Sequence, residues 1–381
     1  MPKGHRNRLS SAEVTPSFGF GKGPPSVHSD IARQFRDDGY AVLNCRGPGL
    51  HDDNLCWPAA HRVLQTIWPR LGELFLHSGL LRQWWPICIV AKTQATMSIN
   101  GCAGQITDPR SAYFFVGLHS GLFIHIADRL LRTLSDPRAF PELGDVMCEQ
   151  AGRTGRLLEV MPHDPVREAA ALAMATMAVA AVFAHEVGHI VRGHIWLLRS
   201  RFGLTRLYET GMPACGGPSV ASYVALRRTI VLDADLFAGK AIGIFLFDRK
   251  PPAWCGVLGK DRHSLLHSLA LAWTCAFRTF ENQASDELYH NTPFLRAQLM
   301  TSAARRESAF DVPFEFDDFK SSAWLPELVQ ILGPTASRLE TASLRRDMAS
   351  MMQTLRATVG VQEELHAARN AMNQTLGRTR V

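Results

Sequence analysis

The sequence predicts a helix-rich α+β fold with a small sheet beside its longest helix. Three observations carry this. An Asp164-Pro165 start opens a long apolar helical run, β-rich runs stand near 87–99 and 113–116, and further helical stretches follow residue 219. The 381 residues are 46% hydrophobic and 20% charged, which suits a globular chain and excludes a wholly disordered or collagen-like one.

Residues 1–30 are polar and basic, with Gly-Lys-Gly-Pro-Pro at 21–25. They read as a flexible tail without the apolar stretch of a leader peptide. Residues 31–330 are expected to form one domain, and 331–381 a C-terminal amphipathic helix (Leu339, Leu344, Met348, Met351, Leu355). Within the domain, helical periodicity runs over 57–83, with Pro69 set to kink it. Ile87 to Ala91, Ala95 to Ile99 and Tyr113 to Val116 read as strands, and Asn100-Gly101 as a turn. A helix over Gly121 to Leu134 follows. Asp164 caps the next helix, Pro165 takes its first position, and Glu168 lies in its first turn; it is expected to reach about Leu198. Further helices are expected over 219–247, over 261–281 and from Pro293. Segment 307–325 reads as irregular and acidic.

Charge and cysteine usage narrow the function. The 41 basic residues against 35 acidic ones give +6, and only seven of the 41 are Lys. The Arg residues are scattered, with no basic stripe interleaved with aromatics, so a nucleic-acid partner is not expected. Eight cysteines without a C-x-x-C read as reduced thiols and point to a cytoplasmic protein. The run Ala169 to Ala184 is too short for a membrane span and reads as a buried helix, so no transmembrane segment is expected.

The chemistry sits in Ala184-His185-Glu186-Val187-Gly188-His189-Ile190. Four residues along an α-helix advance about 40° around its axis, so His185 and His189 share a face one turn apart. Two imidazoles so placed can reach one Zn2+, and Glu186 stands where it can take a proton from metal-bound water. Gly188 lets another backbone approach closely. His263 and His267 share the same spacing without an acid between them and read as a surface or core pair, as do His119 and His125. Neither a G-x-S-x-G elbow nor a cysteine nucleophile is supported.

This stretch resembles the zincin metallopeptidases, and two patterns are similar to the gluzincin branch, especially the prenyl-protein endopeptidases and related bacterial H-E-x-x-H peptidases. His189 is followed by Ile190-Val191-Arg192-Gly193-His194, which extends the pattern to a third His. Downstream, Val231-Leu232-Asp233-Ala234-Asp235-Leu236-Phe237-Ala238 is similar to the E-x-x-A-D helix of that branch. Arg192 and Ile195 exclude the metzincin pattern. The resemblance implies a zincin-like domain, a Zn2+ cofactor and a protein or peptide substrate. It places the third ligand, a Glu, where this chain has Val231. Asp235 is then the first candidate for third ligand, with Asp233 and His194 as alternatives. His194 can ligate only if Gly193 ends the helix. Tyr289-His290-Asn291-Thr292-Pro293 with Arg296 is loosely similar to a His-Pro segment of the same branch, which makes His290 or Tyr289 a candidate oxyanion donor. The expected function is a zinc metalloendopeptidase with Glu186 as general base. The alternative is a zincin-like binding or regulatory protein without hydrolysis, raised by Val231.

Overall fold

The structure is a computed structural model. It describes residues 18–20, 56–77, 88–94, 100–105, 113–208, 220–247, 251–259, 261–280, 293–305 and 363–374.

The fold is helix-rich α+β. In chain order the helices are α1 (Trp57–Gly72), α2 (Ser120–Leu134), α3 (Pro165–Val191), α4 (His194–Phe202), α5 (Val220–Phe247), α6 (Arg262–Phe280), α7 (Pro293–Arg305) and α8 (363–374). The strands are β1 (Phe18–Phe20), β2 (Cys88–Gln94), β3 (Gly101–Gln105), β4 (Tyr113–His119) and β5 (Arg206–Tyr208), in sheet order β1-β2-β4-β3-β5. β2 runs parallel to β4, from Cys88 opposite Tyr113 to Gln94 opposite His119, and the other pairings are antiparallel.

Three expectations need correction. β1 lies inside the segment read as a tail. Residues 95–99 lie outside the described residues, as does segment 307–325. Gly101, read as a turn residue, instead opens β3. β3 was missed because its residues, Gly-Cys-Ala-Gly-Gln, carry no hydrophobic alternation. Small residues are needed there, since a Cβ on Gly104 would lie 2.7 Å from Phe115 Cε1 across the pair. Finally, α3 does not run on to Leu198. It stops at Val191, and Gly193 adopts a left-handed φ of 82° before α4 begins at His194. Glycine makes that turn without a Cβ penalty.

The strands near 88–94 and 113–119 are not open sheet edges of the kind that pairs with an extended peptide. β4 is instead internal to the sheet, and β2 is covered by β1 along Ile89–Ala91. β3, which packs against α3, is paired on its other side with β5.

α3 is the axis of the core. Asp164 caps it by accepting from the Arg167 N–H, and Pro165 fills its first turn. It is the one described helix long and apolar enough to cross a membrane, and all of its most apolar window is buried in the protein by neighbouring elements. α2, α5, α6 and the sheet cover its faces. After Pro69, the last turn of α1 widens into a π-helical turn at Glu73–His77. α8 presents Leu365, Ala368 and Met372 to the core and lies against the α3–α4 turn, where Arg369 Cα would stand 3.1 Å from a Cβ on Gly193.

Arg167 organises the loop that leads into α3. Its fully buried guanidinium donates to five carbonyls, those of Leu134, Asp136, Ala139, Phe140 and Leu143, at 2.7 to 3.0 Å. Arg167→Met keeps the apolar stem and strands those acceptors. It is expected to lower unfolding free energy by about 3 kcal/mol or more, measured as the shift of the urea midpoint at unchanged slope.

Candidate metal centre

Two helices face each other across the centre. α3 carries His185, Glu186 and His189, all about 1% exposed. α5 crosses it closely because position 188 is glycine: a Cβ there would lie 3.3 Å from Ala234 Cα and 3.0 Å from the Phe237 ring. α7 in turn packs onto the Gly239 and Gly243 face of α5, where any side chain would collide with the Met300 and Ala304 backbone. Asp235, Gly239 and Gly243 repeat every four residues, so the face that admits α7 is the one that carries Asp235. Arg296 of α7 is thereby delivered to Asp235.

The side chains form one continuous chain of contacts. Arg296 Nε donates to Asp235 Oδ2 at 2.9 Å and its Nη2 to Oδ1 at 3.0 Å. Asp235 Oδ1 stands 2.7 Å from His185 Nδ1. His185 Nε2 faces His189 Nε2 at 2.9 Å, with the two rings nearly perpendicular. His189 Nδ1 stands 2.9 Å from His194 Nδ1, and His194 Nε2 stands 2.9 Å from Asp233 Oδ2. Arg192 closes the chain with two bonds to Asp233, at 2.8 and 2.7 Å.

The carboxylates at the two ends dictate where the ring protons sit. Asp235 can only accept, so a neutral His185 carries its proton on Nδ1. Asp233 likewise holds the His194 proton on Nε2, leaving the His194 Nδ1 lone pair to accept from His189 Nδ1. Both Nε2 atoms are then unprotonated and face each other at 2.9 Å. An imidazole with its Nδ1–H engaged is the form that binds metal through Nε2. A tetrahedral Zn2+ with ligands at 2.0–2.1 Å needs its nitrogens about 3.3 Å apart, so the rings have to part by about 0.4 Å. On the chemistry of these donors, His185 and His189 fit a divalent metal.

Burial pulls the pKa of His194 down, against the opposing pull of Asp233. Burial pushes the Asp233 carboxyl up, but the His194 hydrogen bond and the Arg192 guanidinium outweigh it and hold it below the usual carboxylate range. Glu186 turns its carboxylate toward β3, where a Cβ on Gly101 would stand 2.9 Å from Oε1. Burial drives the neighbouring Cys102 thiol far up, and Glu186 adds to the effect, so Cys102 is no thiolate nucleophile.

His185, Glu186 and His189 are therefore gathered as the sequence implied. Asp235 is not where a third ligand belongs. It backs His185 at Nδ1, on the far side of the ring from Nε2, and Arg296 takes both of its oxygens. Asp233 and His194 are engaged with each other, so neither alternative closes the cage. Among the described residues no group of three or more His, Cys, Asp or Glu is placed to hold a metal ion. Val231, one turn before Asp235 on the same face of α5, is buried and offers no donor. His290 and Tyr289 lie outside the described residues. Of the other histidines singled out, His267 packs on the Phe140 ring at 5.3 Å between centroids and takes no part. Sequence reasoning missed the roles of Arg192, Arg296 and Gly101. Only Arg296 had a signal, as the Arg downstream of the His-Pro-like segment.

Residues 103–222 match the family model of Peptidase family M48. The match supports a zincin-type metallopeptidase family and a metalloprotease function. It covers β3 through the start of α5, and so includes His185, Glu186 and His189 but stops short of Val231, Asp233 and Asp235. No curated protein and no solved structure matches the chain.

Two outcomes follow from this geometry. Gly101→Ala is expected to push the Glu186 carboxylate aside and cut peptide hydrolysis at least tenfold, with thermal stability changed far less. Parallel turnover and melting measurements check it. The pH dependence of stability also has a defined sign. A lowered His194 pKa means that the folded state binds fewer protons than the unfolded one, so stability falls as pH drops below about 6.5. The depressed Asp233 pKa adds a second loss below about 4. Urea titrations from pH 7 to pH 3 should show both, and His194→Gln should remove the first.

Proposed function

We propose that this chain is a zinc-dependent metalloendopeptidase whose metal is held by His185 and His189 and whose general base is Glu186. The observation that supports the reading best is the convergence of the two Nε2 atoms at 2.9 Å, with both Nδ1 atoms already engaged. The substrate is a protein or peptide.

A zinc ion held by His185 and His189 would supply Lewis-acid polarisation of the scissile carbonyl and would make a bound water more acidic. The chain's own residues do the rest. Glu186 accepts the water proton at its carboxylate and later passes it to the departing amine. Asp235, clamped by Arg296, holds the His185 ring and its tautomer. The buried setting strengthens each of these interactions by excluding solvent. Two imidazoles are the protein donors that the described residues bring together.

Glu186→Gln tests the reading. Hydrolysis of an unfolded protein substrate is expected to drop at least about a hundredfold while bound zinc is retained. Full activity in that variant, or wild-type protein without stoichiometric zinc after purification and zinc supplementation, overturns it.

Val231 favours a second reading, a zincin-like binding or regulatory protein that does not hydrolyse peptides. Val231→Glu separates the two. It places a carboxylate one turn before Asp235 and is expected to tighten Zn2+ binding at least about tenfold, read by competition with a chromophoric chelator. On the endopeptidase reading the wild type already turns over substrate. On the second reading hydrolysis appears only in the variant.

A further inference from the structure

We infer that His194, Asp233 and Arg192 form a positioning relay for His189, the counterpart of the Asp235–Arg296 pair behind His185. The inference rests on the metal reading above and adds residues to it.

The two metal-facing rings have the same need. Each must present Nε2 as a lone pair in a fixed direction, and each therefore needs a partner at Nδ1. His185 meets a carboxylate there directly. His189 meets a second imidazole, 2.9 Å away. That imidazole can hold the His189 proton on Nδ1 only if its own Nδ1 is a lone pair, and Asp233 secures this by taking the His194 proton at Nε2, 2.9 Å away. Arg192 pins both Asp233 oxygens, as Arg296 pins both oxygens of Asp235. One carboxylate–arginine pair thus governs each metal-facing ring, one directly and one through an interposed histidine.

The backbone is built for this arrangement. On a continued α3 helix, residue 194 would stand about 140° round from His189 and face away. The left-handed turn at Gly193 brings it back beside the ring. His194 is itself fully buried, and α5 supplies Asp233 two residues before Asp235. Both backing carboxylates therefore come from one helix, and each serves a different imidazole.

The relay predicts effects on the metal that a purely structural ion pair does not produce. In the full-length chain, Asp233→Asn should weaken Zn2+ and Co2+ binding by about 10- to 100-fold and shift the visible absorption bands of the Co2+ form. Asp233→Glu should restore part of the affinity. Arg201→Ala, which removes the α4 pair with Glu364, should leave metal binding unchanged. Should Asp233→Asn fail to fold, His194→Ala gives the second reading, with added imidazole expected to recover Co2+ affinity and spectrum. A wild type that binds neither metal brings down the metal reading itself. A wild type that binds both, with Asp233→Asn or His194→Ala matching it in affinity and Co2+ spectrum, overturns the relay alone.

Discussion

A neutral imidazole has two nitrogens and one proton, and this site depends on which nitrogen keeps it. The choice is made at the ends of the chain of contacts, not at its centre. Asp235 and Asp233 are acceptors only, so protons are drawn outward along the three rings and the inner Nε2 atoms are left bare. Remove either acceptor and the tautomers are free to reverse, with an N–H of one ring pointing at the Nε2 of the other. Other features of the domain serve to deliver those two carboxylates. Gly188 admits α5, the glycine face of α5 admits α7, and Gly193 returns His194 to the centre.

Holding two carboxylates in such a place is electrostatically costly, because each leaves water for a poorly polarisable surrounding. The cost is offset in kind. Arg296 is 2% exposed and Asp235 is fully buried, so their two-bonded pair is desolvated at both ends. The Phe277 ring adds its face to the Arg296 guanidinium at 4.1 Å. The Arg192–Asp233 pair is nearer the surface, with side chains 32% and 22% exposed. The backing of His185 is therefore the stiffer of the two, and that of His189 the more responsive to solvent and salt.

The helices were legible in the sequence because their signals are local. Asp164-Pro165 announces the start of α3, and the Pro293 start announces α7. The H-E-x-x-H spacing likewise needs only helical geometry to place two imidazoles together. What could not be read depends on contacts between distant segments. β3 carries no alternation because Phe115 and Glu186 crowd it, and a glycine chosen for crowding looks the same as one chosen for a turn. The assignment of Asp235 as a ligand followed from its being a carboxylate on the right helix face. Whether such a group approaches Nε2 or Nδ1 is decided by the crossing of two helices, which no single segment encodes. Arg192 looked like any solvent-facing base after a helix, and its partner lies 41 residues away.

The packing of α8 on the α3–α4 turn ties the geometry of the centre to a helix distant in sequence. Residues 363–374 seat against Gly193, where Arg369 Cα would stand 3.1 Å from a Cβ. Without that helix the bend that aims His194 is uncovered on one side. Loosening α8 would therefore slacken the backing of His189 while leaving every side chain of the centre chemically unchanged.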